Sequence, residues 1–157
     1  MNSFLVGAGG FLAGLILGSP TSRRLAQAIW HNKILLQNEK IKLVIVVRTD
    51  LGISSGKVAA QCAHAAVISY RNAEVQSPQL CQSWLNTGQQ KVVVKSDKPG
   101  ESVLLNYVKL AKSKGLVTST VIDAGHTQVQ RGTLTVVGIG PGPETVINEI
   151  TGKLRIF

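Results

Sequence analysis

Lys42 to Ala66 reads KLVIVVRTDLGISSGKVAAQCAHAA, and the changes of character along this stretch decide the fold. Its first part, Lys42–Arg48, is a β-branched apolar run of the kind that forms a buried central strand. Thr49–Ser55 reads as a loop, and from Gly56 to about Asn72 the alanine-rich sequence predicts a helix. A helix start offers unpaired backbone N–H groups and the positive end of the helix dipole, and Lys57 adds a full charge there. Such a place favours a phosphate or a developing oxyanion. The unit is not a P-loop, because GxxxxGK[ST] needs four residues between its glycines and a hydroxyl after the lysine. Gly52 and Gly56 enclose three, and Val58 follows Lys57. That mismatch argues against nucleotide hydrolysis.

Lys57, Gln61 and His64 follow i, i+4, i+7 spacing and share one helix face. Val58, Cys62, Ala65 and Ala66 fall elsewhere and are expected to pack on the sheet. A polar stripe on a small, apolar helix fits a cleft wall, and it equally fits an ordinary solvated face. A second group, Asp123, His126, Thr127 and Gln128, puts a carboxylate, an imidazole, a hydroxyl and an amide in one glycine loop beyond the apolar run VTSTVI. Ligands gather beyond the carboxyl ends of strands in α/β sheets. An Asp turn with local hydrogen bonds is the plainer alternative.

Outward from this core, Pro78–Leu85 reads as a short helix closed by Gly88, and Lys91–Lys95 as a strand. Glu101–Lys114 is amphipathic, with Gly115 as its stop. Leu116–Ile122 and Thr133–Ile139 read as strands, and Pro141 and Pro143 lead into a last helix over Glu144–Ile150. Alternating strands and helices predict an α/β domain with helices covering the sheet. The ten-residue link between the last two strands favours an antiparallel pair, so the sheet should be mixed.

The chain has 157 residues, room for one domain and a short extension. Its net charge of +9 favours anionic partners, nucleic acid or an acidic membrane surface. From Lys40 onward basic side chains still outnumber acidic ones two to one. Cys62 and Cys81 form no CxxC, and His31, His64 and His126 show no metal-ligand spacing, so neither a disulfide framework nor a zinc site is expected.

Residues 1–22 carry no charge, and Phe4–Gly18 is almost wholly apolar. A 22-residue helix is about 33 Å long, enough for a bilayer core. Arg23 and Arg24 follow and would keep the C-terminal side in the cytosol. With no basic residue before the apolar run, and neither amphipathicity nor arginine in it, a signal anchor fits better than a signal peptide or a matrix presequence. Gly10, Gly14 and Gly18 form GxxxGxxxG, a face for close helix approach or simply common membrane glycine. Gly7-Ala8-Gly9 begins a dinucleotide fingerprint, but Leu12 takes the third glycine position. Residues 23–40 read as an amphipathic linker, and residues 41–157 as the folded domain.

VVRTDLGISSGKVAAQCAHAA, KVVVK, DAGHTQ and GIGPGP, in this order, closely resemble the archaeal and eukaryotic family of peptidyl-tRNA hydrolases. The resemblance implies a mixed four-stranded sheet with helices on both faces, preceded here by the anchor helix. It implies hydrolysis of the ester between a peptide and the tRNA 3′ end, without metal or cofactor. It carries catalytic roles onto Lys57, Gln61, Asp123 and Thr127, and substrate contact onto His64, His126 and Gln128. The loop usually reads DAGRTQ, so His126 stands where an arginine is usual. Lys91, Lys95, Lys98, Lys109, Lys112 and Lys114 are candidates for the acceptor-stem backbone. Together with the anchor, the resemblance implies a eukaryotic member on a cytosol-facing membrane, first of all the mitochondrial outer membrane, with the endoplasmic reticulum membrane or the cytosol as alternatives; a homodimer is compatible with it. A membrane-tethered adaptor and a passive RNA binder are the rival classes, and ester cleavage separates both from the enzyme.

Overall fold

A computed structural model describes residues 39–125 and 128–157. The proposed anchor and all of the linker up to residue 38 lie outside the described residues, as do His126 and Thr127. Among the described residues no helix is long and apolar enough to cross a membrane. Glu39–Phe157 forms one compact unit.

The elements are β1 (Ile41–Val47), α1 (Ser55–Gln76), α2 (Pro78–Asn86), β2 (Lys91–Lys95), α3 (Glu101–Ser113), β3 (Thr118–Ile122), β4 (Leu134–Pro143) and α4 (Glu144–Thr151). They form a four-stranded sheet in the order β2-β1-β4-β3. β1 pairs parallel with β2, while β4 runs antiparallel to both β1 and β3. The mixed sheet and the antiparallel last pair are as expected from the sequence. Three strands therefore point the same way, and the ends of β1, β2 and β3 meet the start of β4 along one edge. The chain's last residues run along the outer side of β2: Lys95 N–H donates to the Arg155 carbonyl, and Phe157 N–H to that of Val93.

All seven residues of β1 are buried, as the β-branched run requires of a strand covered on both faces. On one face Val44 and Val46 join Leu104, Val108 and Ala111 of α3 and Ile147 of α4 in the main core. On the other face α1 lies close to the sheet because small residues meet there. The Ser69 and Ser119 hydroxyls are 2.7 Å apart, and a Cβ at Gly138 would fall 2.4 Å from each.

Three boundaries differ from the sequence reading by two residues or more, each for a local reason. α1 runs four residues beyond Asn72, because Ala73 is buried against Cys81 and Val117. It stops before Ser77, whose backbone Pro78 excludes from the helical region. β3 starts two residues late, because Leu116 N–H caps α3 on the Ala111 carbonyl while Gly115, at φ +71°, donates to Lys112. β4 continues through GIGPGP. Its pairing with β3 ends at Ile139, so Pro141 and Pro143 interrupt no ladder on that side.

Lys42 is the one charged side chain within β1, and it is buried. Its Nζ donates to Glu144 Oε1 (3.0 Å) and Asn148 Oδ1 (2.8 Å) of α4. That ammonium holds the Glu144 carboxyl below the usual glutamate range. The resulting stability is complete above the ordinary value of about 4.3 and is lost as the pH falls through the lowered native value. In melts from neutral to strongly acid pH, the Tm gap between wild type and Glu144→Gln should be open at neutral pH and close in acid. A constant gap would remove Glu144 from the acid response.

Candidate active site

Asp123 follows β3 directly, on the edge where three strands end. Its backbone is fixed on both sides: its N–H donates to the Thr133 carbonyl, and its carbonyl accepts from Gly132. The Gly125 N–H donates to Asp123 Oδ1 at 2.8 Å, turning the chain under the carboxylate. This turn needs glycine, because Gly125 has φ +80° and a Cβ there would lie 2.8 Å from the Arg131 backbone. The carboxylate is buried, with 4% exposure.

The first turn of α1 faces it. Ser54 caps the helix, its hydroxyl accepting from Lys57 N–H. Lys57 Nζ forms an ion pair with Asp123 Oδ2. One turn on, Gln61 Nε2 donates to the same oxygen at 3.0 Å. The Gln61 carbonyl in turn accepts from the Thr135 hydroxyl of β4 at 2.8 Å. A hydroxyl that donates to the amide oxygen leaves the amide nitrogen facing Asp123, so Thr135 sets the orientation of Gln61. Gln61 is accordingly buried in the helix–sheet seam with Val58, Ala65, Ser69 and Ala73. It does not lie on the solvated stripe, and Cys62 and Ala66 are only half-buried.

Lys57, Gln61, His64, Asp123 and Ala124 line a cavity of about 510 Å³ that extends along Ile68 and Thr120–Ile122. Its chemistry is that of a carboxylate beside an ammonium, with an exposed imidazole at the rim. Burial pushes the Cys62 thiol up, away from the thiolate form a nucleophile needs. Among the described residues, no group of three or more His, Cys, Asp and Glu side chains is arranged to hold a metal ion.

The family model described as peptidyl-tRNA hydrolase PTH2 matches residues 41–157, which include every element of this site. The chain belongs to the PTH2 peptidyl-tRNA hydrolase family. It is 48% identical over 124 residues to "Peptidyl-tRNA hydrolase 2, mitochondrial" of Mus musculus, covering 79% of this chain and 67% of the relative. The human protein of the same name is 41% identical over 144 residues, 92% of this chain and 79% of the relative. The peptidyl-tRNA hydrolase of Staphylothermus marinus is 46% identical over 123 residues, 78% of this chain and all of the relative.

Of the residues singled out by sequence, this PTH2 domain brings together Lys57, Gln61, His64 and Asp123. Gln128 is close but occupied: its Oε1 accepts from Ser54 N–H (2.8 Å) and its Nε2 donates to Ser54 Oγ (3.0 Å). It ties the loop after Asp123 to the cap of α1. Lys95 and Lys98 lie at or just beyond the end of β2, on the edge that carries Asp123. Lys91 sits at the other end of β2, over the Trp84 ring at 4.7 Å. Lys112, in the last turn of α3, also lies toward that far edge, and Lys114 pairs with Glu149. The residue that sequence reasoning missed is Thr135, a lone hydroxyl at a fully buried position of the apolar strand LTVVGIG. Thr135→Val should leave Gln61 without its donor and lower kcat/KM on peptidyl-tRNA about tenfold, the equivalent of one buried hydrogen bond. An unchanged kcat/KM would show that Gln61 keeps its orientation unaided.

Proposed function

We propose that the chain hydrolyses the ester between a peptide and the 3′ end of tRNA, releasing peptide and free tRNA. The observation that carries this reading is the Lys57–Asp123–Gln61 cluster in an open cavity, within a domain matched over its full length by the PTH2 family. Asp123 orients a water and receives its proton as the water attacks the ester carbonyl. An ammonium carries several donors, so Lys57 can hold Asp123 and meet the oxyanion that forms on the carbonyl oxygen. Collapse of the tetrahedral intermediate breaks the bond to the ribose oxygen, which leaves with a proton as the tRNA 3′ hydroxyl. Gln61 keeps the carboxylate aimed. Thr127, four residues beyond Asp123, is assigned to hold the same carboxylate, and His64 and His126 to meet the tRNA end. The test is release of N-blocked amino acid from aminoacyl-tRNA by the full chain, with and without Asp123→Asn.

We also place the protein at the mitochondrion, on the support of relatives named as mitochondrial and of the uncharged residues 1–22 followed by Arg23 and Arg24. In this reading residues 1–22 anchor the domain to a membrane with the active site facing the cytosol. Resistance of the full chain to an alkaline carbonate wash is the expected result, and its complete release would remove the anchor.

A further inference from the structure

We infer that a second cavity, at the ends of β1 and β2, is a seat for backbone phosphate of the tRNA; this rests on the peptidyl-tRNA reading for its ligand. The cavity measures about 620 Å³, and its wall includes Lys95, Ser96, Lys153 and Arg155. It adjoins the catalytic cavity across the start of α1: Val58 lines the one and Lys57 the other.

Three observations point to an anion. Lys95, Lys153 and Arg155 converge on one concave surface and form no ion pair among the described residues. Lys98 continues the same charge along a neighbouring hollow that shares Asp97, Lys153 and Leu154. The Ser96 hydroxyl is buried at the wall, with 7% exposure of the residue, and has no hydrogen-bond partner among the described residues. Buried hydroxyls are nearly always bonded; this oxygen is sealed from the cavity, and a turn about the Cα–Cβ bond would bring it to a phosphate oxygen. The opposing charges are few. Arg48, also on the wall, is held by Asp50 and by the Leu134 carbonyl and counts as structure. Asp97 is the one carboxylate on the wall among the described residues; it accepts the Tyr107 hydroxyl at 2.6 Å and sets a single negative charge against Lys95, Lys153 and Arg155.

A lipid headgroup would satisfy the same cations, but nucleic acid is favoured by position. A chain whose terminal ester sits at Lys57 and Asp123 can continue along this edge onto this surface, which adjoins the catalytic cavity across the start of α1. Lys153 and Arg155 are exposed, and Arg155 takes part in the strand pairing only through its backbone carbonyl. Their side chains are therefore removable without disturbing the sheet.

The experiment measures binding of a deacylated acceptor-stem minihelix to the full chain over a range of salt, for wild type, Lys153→Ala/Arg155→Ala, and Lys40→Ala/Arg71→Ala as a control of equal charge loss. Melting curves confirm folding. The Lys153/Arg155 pair should weaken binding at least tenfold and lower the slope of log affinity against log salt by about 1.5–2, while the control pair leaves both nearly unchanged. With peptidyl-tRNA the same variant should raise KM and leave kcat within about twofold. Ser96→Ala should weaken binding severalfold with no change of slope. An unaltered slope, an equal loss in the control, or a fall in kcat with constant KM would overturn the seat. Loss of binding to phosphatidylserine vesicles, with minihelix binding intact, would overturn it in favour of a membrane contact. A wild type that binds the minihelix but leaves the ester intact would sink the catalytic reading and spare this one.

Discussion

Asp123→Asn should lower kcat on peptidyl-tRNA by about a thousandfold, within the range that a positioned acid–base group contributes. The change keeps the size of the side chain and its acceptor for Gly125 N–H. It removes the charge that faces Lys57 and presents either an amide donor to two donors or an amide oxygen with no basicity. KM should move little, because the tRNA is gripped elsewhere. The single-turnover rate on N-blocked aminoacyl-tRNA checks the prediction, and a loss below about tenfold would take Asp123 out of the proton path. Lys57→Ala tests the other half of the pair. It leaves a buried carboxylate without its cation, a loss of about 3–5 kcal/mol for pairs of this kind, so stability must fall along with activity. Asp123→Asn is the cleaner variant for chemistry, since the ammonium on the other side is nearer to solvent.

Gly140→Ala should lower Tm by about 10 °C, from a loss of about 3 kcal/mol. Two independent costs meet at this residue. Its φ of +104° lies in a region that L side chains rarely adopt, and a Cβ would sit 2.7 Å from the Lys42 carbonyl and 3.0 Å from Gly142 N. These neighbours are backbone of the two central strands, so nothing flexible can move aside. The register between β1 and β4 shifts beside this point, between Lys42 and Val44. Thermal unfolding followed by circular dichroism reads the effect. A shift below about 3 °C would mean that this corner of the sheet rearranges at little cost.

The elements that punctuate their own sequence are legible in it. KLVIVVR reads as a covered strand and forms β1 to within one residue at each end, KVVVK matches β2 residue for residue, and Gly115 marks the end of α3. Lys57 and Asp123 stood out because each is a charged group at a junction between a regular element and a loop. What stayed hidden depends on contacts across the sequence. Spacing placed Gln61 with Lys57 and His64, but a helical wheel does not say which edge of a polar stripe turns inward. Only the carboxylate from β3 and the hydroxyl from β4 draw that amide into the seam. Thr135, Ser69 and Ser119 are silent for the same reason. Lysine content likewise gave no means of separating Lys95 from Lys91, because the two differ in which end of one strand they occupy.

Arg155 and Phe157, laid along β2, have a consequence beyond recognition. An outermost strand with open amides and carbonyls is a template for foreign strands, and here part of that template is already taken by the molecule's own tail. Trimming those few residues would bare a sticky seam and delete one of the cations in the same cut. Solubility and grip on RNA are thus tied to a single short stretch of chain.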